Sequence, residues 1–233
     1  MSLNSKVLIF SLLIGLPFLM NSCKDEKTAK TNDIKVDVTS EKIDDLAEKT
    51  DKKVIMFYGN SLTAGYRLEE DESFPSLIED KIDSLKMKYS VINAGLSGDT
   101  SYDGLKRLDW VLNTKVDIFI LELGANDMLR GLPVKNTREN LSNIVLKVKS
   151  KYPNAIIGIC AMAGAPNMGS EYVTEFEKIY KDLAVNEKIT YFPFFLEGVA
   201  GNPELLLQDG KHPNAEGQKI VANNIWSTLN NIL

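Results

Sequence analysis

Five short apolar runs, each followed by an amphipathic stretch, predict an α/β protein: a five-stranded parallel sheet covered by helices on both faces. Two features of the runs support this. They are apolar at successive positions rather than at alternate ones, as in strands buried on both sides. Three of them also end in polar, glycine-bearing segments, the pattern of ligand loops beyond the carboxyl ends of such strands.

The first strand is Val54–Tyr58 and stops at Gly59. Ser73 offers a helix cap and Pro75 fits the first turn, with Phe74, Leu77, Ile78, Ile82 and Leu85 on one helical face. The second strand is Ser90–Ala94. Thr100 and Asp103 are placed to cap the next helix, whose apolar residues are Leu105, Leu108 and Leu112. Asp117–Leu123 forms the third strand and stops at Gly124. Thr137 is positioned as the cap of a helix that turns Leu141, Ile144, Val145 and Val148 inward. Ala155–Met162 is the fourth strand, and the helix after it carries Val173, Phe176, Tyr180 and Leu183. Thr190–Phe192 is a short fifth strand. A last helix runs from about Asn214 to the chain end, with Val221, Ile225, Leu229 and Ile232 on one stripe. Right-handed crossovers leave few topologies for this order. The carboxyl-end rule then singles out the segments after Tyr58, Ala94, Leu123 and Met162.

Ahead of this domain (53–233), the chain reads as two segments. In residues 1–22, Lys6 precedes the apolar run Val7–Met20, which is too short for a comfortable membrane span and right for a signal core. Ser22-Cys23 resembles the bacterial lipoprotein signal, in which the cysteine is acylated. Met20 and Asn21 depart from its commonest residues, and an ordinary cleaved signal with an incidental cysteine is the alternative. Residues 23–52 are charge-rich and lack aromatic residues, as expected of a tether that could reach roughly 100 Å from a membrane. Ile43 and Leu46 after Ser40 would suit a short docked helix. Lys24-Asp25-Glu26 resembles the surface-export signals of some lipoproteins, or is simply solvated linker. The expectation is an exported bacterial lipoprotein on the periplasmic or cell-surface face of a membrane, lipidated at Cys23.

Composition excludes several functions. A net charge of −5, from 27 basic and 32 acidic residues, offers no basic excess for nucleic acid. Two cysteines cannot form a disulfide framework or a four-cysteine zinc site. Cys160, inside an apolar strand, reads as an inert buried thiol. The only imidazole is His212.

The chemistry-bearing residues cluster at the strand ends. Ser61, in Gly59-Asn60-Ser61-Leu62, is either a nucleophile or a turn serine. Thr63 stands where the nucleophile elbow of α/β hydrolases would need glycine. Asn93 to Thr100 contains Gly95 and Gly98, so its backbone N–H groups can approach a ligand, or it is an ordinary strand-to-helix turn. Gly124-Ala125-Asn126-Asp127 supplies the Asn126 amide donors, with Asp127 a cap or turn residue. Asp209-Gly210-Lys211-His212 places a carboxylate three residues from the imidazole, able to fix its tautomer. No second histidine or cysteine cluster favours a metal there. Together these residues fill every role in acyl transfer: Ser61 attacks, His212 is the base, Asp209 orients it, and Ser61, Gly98 and Asn126 hold the oxyanion.

The four segments, written Gly59-Asn60-Ser61-Leu62, Gly95-x-x-Gly98-Asp99-Thr100, Gly124-x-Asn126-Asp127 and Asp209-x-x-His212-Pro213, resemble the four blocks of the SGNH, or GDSL, hydrolases. The likeness is closest to the subgroup of periplasmic acyl thioesterase, lysophospholipase and arylesterase enzymes, which also share Gly124 to Gly131. It implies a flavodoxin-like three-layer α/β/α sandwich with five parallel strands, and the same assignment of Ser61, Asp209, His212, Gly98 and Asn126. Asn60 departs from it, since the family block usually has Asp before the serine. The resemblance implies a serine esterase acting on acyl esters or thioesters, small molecules or lipids, with no cofactor. Met128, Leu129, Leu132, Pro166 and Met168 would line a substrate groove, and Phe194, Phe195 and Leu196 either join it or belong to the core. Two rival readings remain: a carbohydrate O-deacetylase, which would prefer acetyl groups, and a non-catalytic ligand-binding lipoprotein, which has no need of the whole set.

Overall fold

The computed structural model describes residues 52–233. The signal segment, Cys23 and the tether up to residue 51 lie outside the described residues. In chain order the elements are β1 (Lys53–Gly59), α1 (Ser61–Ala64), α2 (Phe74–Ser84), β2 (Tyr89–Asn93), α3 (Ser101–Val111), β3 (Ile118–Glu122), α4 (Ala125–Leu129), α5 (Val134–Lys151), β4 (Ile156–Cys160), α6 (Ser170–Glu187), β5 (Thr190–Phe192) and α7 (Ala215–Leu229). Short 3₁₀ turns lie at Glu70–Glu72, Pro166–Met168 and Pro203–Leu205.

The strands form one parallel sheet in the order β2-β1-β3-β4-β5. Strand alternation sorts the core between the two faces. Phe57 meets Phe74 of α2 edge-on, with ring centroids 5.2 Å apart. Its neighbour Tyr58 points the other way and donates to the Gly104 carbonyl of α3. Helices α2 and α7 pack together on the Phe57 side, while α3, α5 and α6 cover the opposite face. The result is the three-layer α/β/α sandwich expected. Both faces of β1 and β3 are buried, which is why those segments lack polar alternation. Among the described residues, no helix is long and apolar enough to cross a membrane.

The limits of β1 to β4 differ from the sequence reading by one or two residues, and those of β5 match it. Asp117, expected to open the third strand, precedes it and accepts a hydrogen bond from Val54 N at 2.8 Å. Two caps are corrected. Ser73 occupies the cap position of α2, but its hydroxyl donates to the Glu70 carbonyl instead of accepting from the helix. The buried N–H of Phe74, at the start of α2, is taken by Gln218 Oε1, from α7. Thr137 does not start a helix either. Helix α5 begins at Val134, and the Thr137 hydroxyl serves the buried Asp127 carboxylate. Leu85, expected on the buried face of α2, is exposed at its C-terminal end. The Thr100–Asp103 capping box at α3 forms as read.

Candidate active site

The register brings the carboxyl ends of β1 and β3 side by side, with Gly59 opposite Glu122. The chain leaves β1 in a single helical turn begun by Asn60, whose Oδ1 accepts from Leu62 N at 2.9 Å. Ser61 is the first residue of that turn. Its Oγ lies 2.8 Å from His212 Nε2. On the other side of the imidazole, Nδ1 is 2.7 Å from Asp209 Oδ2. Asp209 Oδ1 accepts from the backbone N–H groups of Lys211 and His212, at 2.9 and 3.1 Å. Burial works to raise the Asp209 pKa, but these hydrogen bonds and the nearby imidazole outweigh it and bring it down to about 2.

The loop carrying Asp209 and His212 is pinned at both ends. Leu206 bridges Pro213, and Leu207 N donates to the His212 carbonyl at 2.7 Å. The Tyr66 ring packs against the imidazole with centroids 4.5 Å apart. Nothing in the sequence pattern marked Tyr66, which follows the αL residue Gly65 that ends α1.

Asn126 opens toward the same cleft from the start of α4. One hydrogen of its amide is committed to the Asp99 carbonyl at 2.9 Å, which fixes the side chain and leaves the second hydrogen free to donate. Gly98 adopts φ +91 and Gly124 φ +121, conformations that favour glycine. Among the described residues, neither Ser61 N–H nor Gly98 N–H has a protein acceptor. Arg107 ties the two loops together. Its guanidinium donates to the carbonyls of Gly59 and Ala94 and pairs with Asp99. Asp127 is buried and accepts from Ser101 N, the Ser101 hydroxyl and Thr137, so it secures the start of α3.

A cleft of about 500 Å³ joins these groups. Ser61, Asn126 and His212 line it with Met128, Leu129, Met162, Pro166, Phe194 and Leu196, and the lining is mostly apolar. Of the five groove residues expected, Met128, Leu129 and Pro166 reach it. Leu132 and Met168 are not among its lining residues. The Leu132 carbonyl accepts from the Tyr172 hydroxyl, and Met168 borders a separate depression beside Tyr172. Gly98 is exposed and is not among the lining residues either. Phe195 packs in the core. Cys160 is a buried free thiol, and burial and the nearby Glu122 charge hold its pKa well above the ordinary value. Among the described residues, no group of three His, Cys, Asp or Glu could hold a metal ion.

Glu122, at the end of an otherwise apolar strand, is the group the sequence reading missed. It is 1% exposed. Burial pushes its pKa up to about 7, only partly offset by hydrogen bonds from Thr63 and Asn60. Between the ordinary value of 4.5 and about 7, the folded chain keeps a proton that the unfolded chain has lost. Stability therefore falls as pH rises through that window. The Asp209 contribution, gained as pH rises between about 2 and 3.8, lies below it. The melting temperature is expected to fall by roughly 5 °C or more between about pH 5 and about pH 7.5. The decline should be shallower in Glu122→Gln; equal slopes in scanning calorimetry would refute the assignment.

Fold and site together define an acyl-hydrolase architecture, and the chain belongs to the GDSL-like lipase/acylhydrolase family, whose model matches residues 57–220. It is 37% identical over 177 residues to an arylesterase of Vibrio mimicus, a match covering 76% of this chain and 87% of that one. It is 38% identical over 169 residues to thioesterase 1/protease 1/lysophospholipase L1 of Escherichia coli K12, covering 72% of this chain and 79% of that one. Among solved structures, the psychrotrophic esterase EstA from a Pseudoalteromonas species, inhibited by monoethylphosphonate, superposes with a TM-score of 0.74. It is 31% identical, and the match covers 78% of this chain and 98% of that one.

Proposed function

We propose that this protein is a serine esterase that cleaves acyl esters or thioesters through an acyl-enzyme intermediate. The observation that carries the reading is the unbroken line from Ser61 Oγ through the imidazole to Asp209 Oδ2, with steps of 2.8 and 2.7 Å. His212 takes the Ser61 proton as Oγ attacks the carbonyl carbon. Asp209 holds the tautomer in which Nε2 is free to accept. Ser61 N–H, Gly98 N–H and the second hydrogen of the Asn126 amide receive the oxyanion. His212 then protonates the leaving group, and water repeats the sequence on the acyl-enzyme. The apolar cleft beside Ser61 suits an acyl chain. The relatives' names, arylesterase and thioesterase/lysophospholipase, accord with that substrate class. The Ser22-Cys23 junction supports an anchored lipoprotein, exported and held to a membrane by acyl groups on Cys23.

The test is a series of p-nitrophenyl esters from acetyl to palmitoyl. Turnover by the purified protein is expected to rise from acetyl toward medium or long chains. Acetyl-only turnover would replace this reading with a sugar-ester deacetylase. No turnover of any ester would favour a binding scaffold.

A further inference from the structure

The turn that presents Ser61 is held from beneath by Glu122. Its Oε1 accepts from Asn60 Nδ2 at 2.8 Å. Its Oε2 accepts from Asn60 N at 3.2 Å and from the Thr63 hydroxyl at 2.8 Å. The Asn60 amide is used at both ends, because its Oδ1 accepts from Leu62 N. These contacts bracket Ser61 on both sides in the chain. The packing is tight enough that a Cβ at Gly59 would collide with Thr63 Oγ1 and with the Glu122 carboxylate.

We propose that Asn60 and Glu122 act as a matched amide–carboxylate pair that positions Ser61, the amide supplying a donor that the ionised carboxylate accepts. The proposal rests on Ser61 being the nucleophile. Its logic is donor and acceptor counting. In its ionised form, above about pH 7, the Glu122 carboxylate offers acceptors only, and all three of these contacts are donors. Glutamine at position 122 cannot satisfy them. Whichever way its amide is turned, an NH₂ faces either Asn60 Nδ2 or Asn60 N, and a buried donor is left without an acceptor. Aspartate at position 60 alone would set two carboxyl groups at hydrogen-bonding distance, a contact that needs a shared proton. Asn60 makes the link without one. Exchanging both residue types restores the fit. The introduced glutamine would donate to the introduced aspartate, and its carbonyl oxygen would take the backbone N–H of position 60 and the Thr63 hydroxyl.

The test compares the full-length wild-type chain, Glu122→Gln, the double variant Asn60→Asp/Glu122→Gln, and Ser61→Ala. It measures kcat and KM for one soluble p-nitrophenyl ester at about pH 8, where Glu122 is ionised, with melting temperatures alongside. Glu122→Gln is expected to lose about tenfold or more in kcat, with KM within about threefold of wild type. The double variant should recover most of that loss. A chain weakened only in stability would keep its kcat below its melting point. A folded Glu122→Gln with wild-type kcat, or a double variant no faster than Glu122→Gln, would overturn the pair. A Glu122→Gln chain that fails to fold, beside a double variant that folds and turns over, supports it. A double variant that also fails to fold overturns it. Wild-type turnover no faster than that of Ser61→Ala would instead overturn the nucleophile assignment, and the positioning role with it.

Discussion

Ser61→Ala is expected to lower kcat/KM for a soluble ester by about 10⁴-fold or more, measured by initial rates at saturating and limiting substrate. Among the described residues, the change deletes the only hydroxyl within hydrogen-bonding reach of His212 Nε2. Nothing nearby replaces it: Thr63 is buried and committed to Glu122, and Ser101 to Asp127. Water could still attack with His212 as base and the oxyanion donors in place, so a small residual rate is expected. The fold should barely register the loss. Ser61 Oγ makes its close contact with the half-buried imidazole, and Asn60 Oδ1 lies at the limit of hydrogen bonding, 3.5 Å away. A melting temperature near wild type, with a rate reduced less than about tenfold, would exclude Ser61 as the nucleophile.

Asp209→Asn is expected to cost about 10³–10⁴-fold in kcat with little change in KM. The reason lies in the split use of the carboxylate. Oδ1 already accepts two backbone N–H groups, from Lys211 and His212. An asparagine would keep its oxygen there, because its NH₂ would clash with both donors. The NH₂ would then face His212 Nδ1 and drive the proton to Nε2, so the imidazole would present a hydrogen to Ser61 instead of a lone pair. Asp209 itself stays ionised down to about pH 2, so its own titration leaves the wild-type pH–rate profile above that unshaped. A folded Asp209→Asn retaining more than about a tenth of the wild-type kcat would show that the loop alone fixes the tautomer.

The sheet and the residues around Ser61 were legible in the sequence for different reasons. Strands β1, β3 and β4 are apolar on both faces because helices cover both, and that pattern needs no tertiary information. Ser61, Asn126, Asp209 and His212 stood out because each lies at the end or start of an element where polar chemistry is otherwise unneeded. What failed depended on partners outside the element being read. Ser73 and Thr137 look like caps locally, but Gln218 satisfies the α2 amide and Asp127 claims the Thr137 hydroxyl. Leu132 and Met168 are apolar loop residues, and only the path of the loop decides which way such side chains point. Glu122 was visible as a charge closing an apolar run. Its partners, Asn60 and Thr63, lie about sixty residues earlier and become neighbours only through strand register.

Ser61 and His212 stand 151 residues apart, one at the start of the domain and one just before its last helix. Gln218 of that helix reaches back to the Leu62 carbonyl and the Phe74 N–H, and the Tyr89 hydroxyl donates to the carbonyl of Leu233. On the proposed mechanism, a ribosome-bound chain thus exposes its serine long before its base has been synthesised. With His212 as the proposed base, hydrolytic power is expected only once the segment carrying it has been made, so a stop ahead of position 212 should yield a silent product.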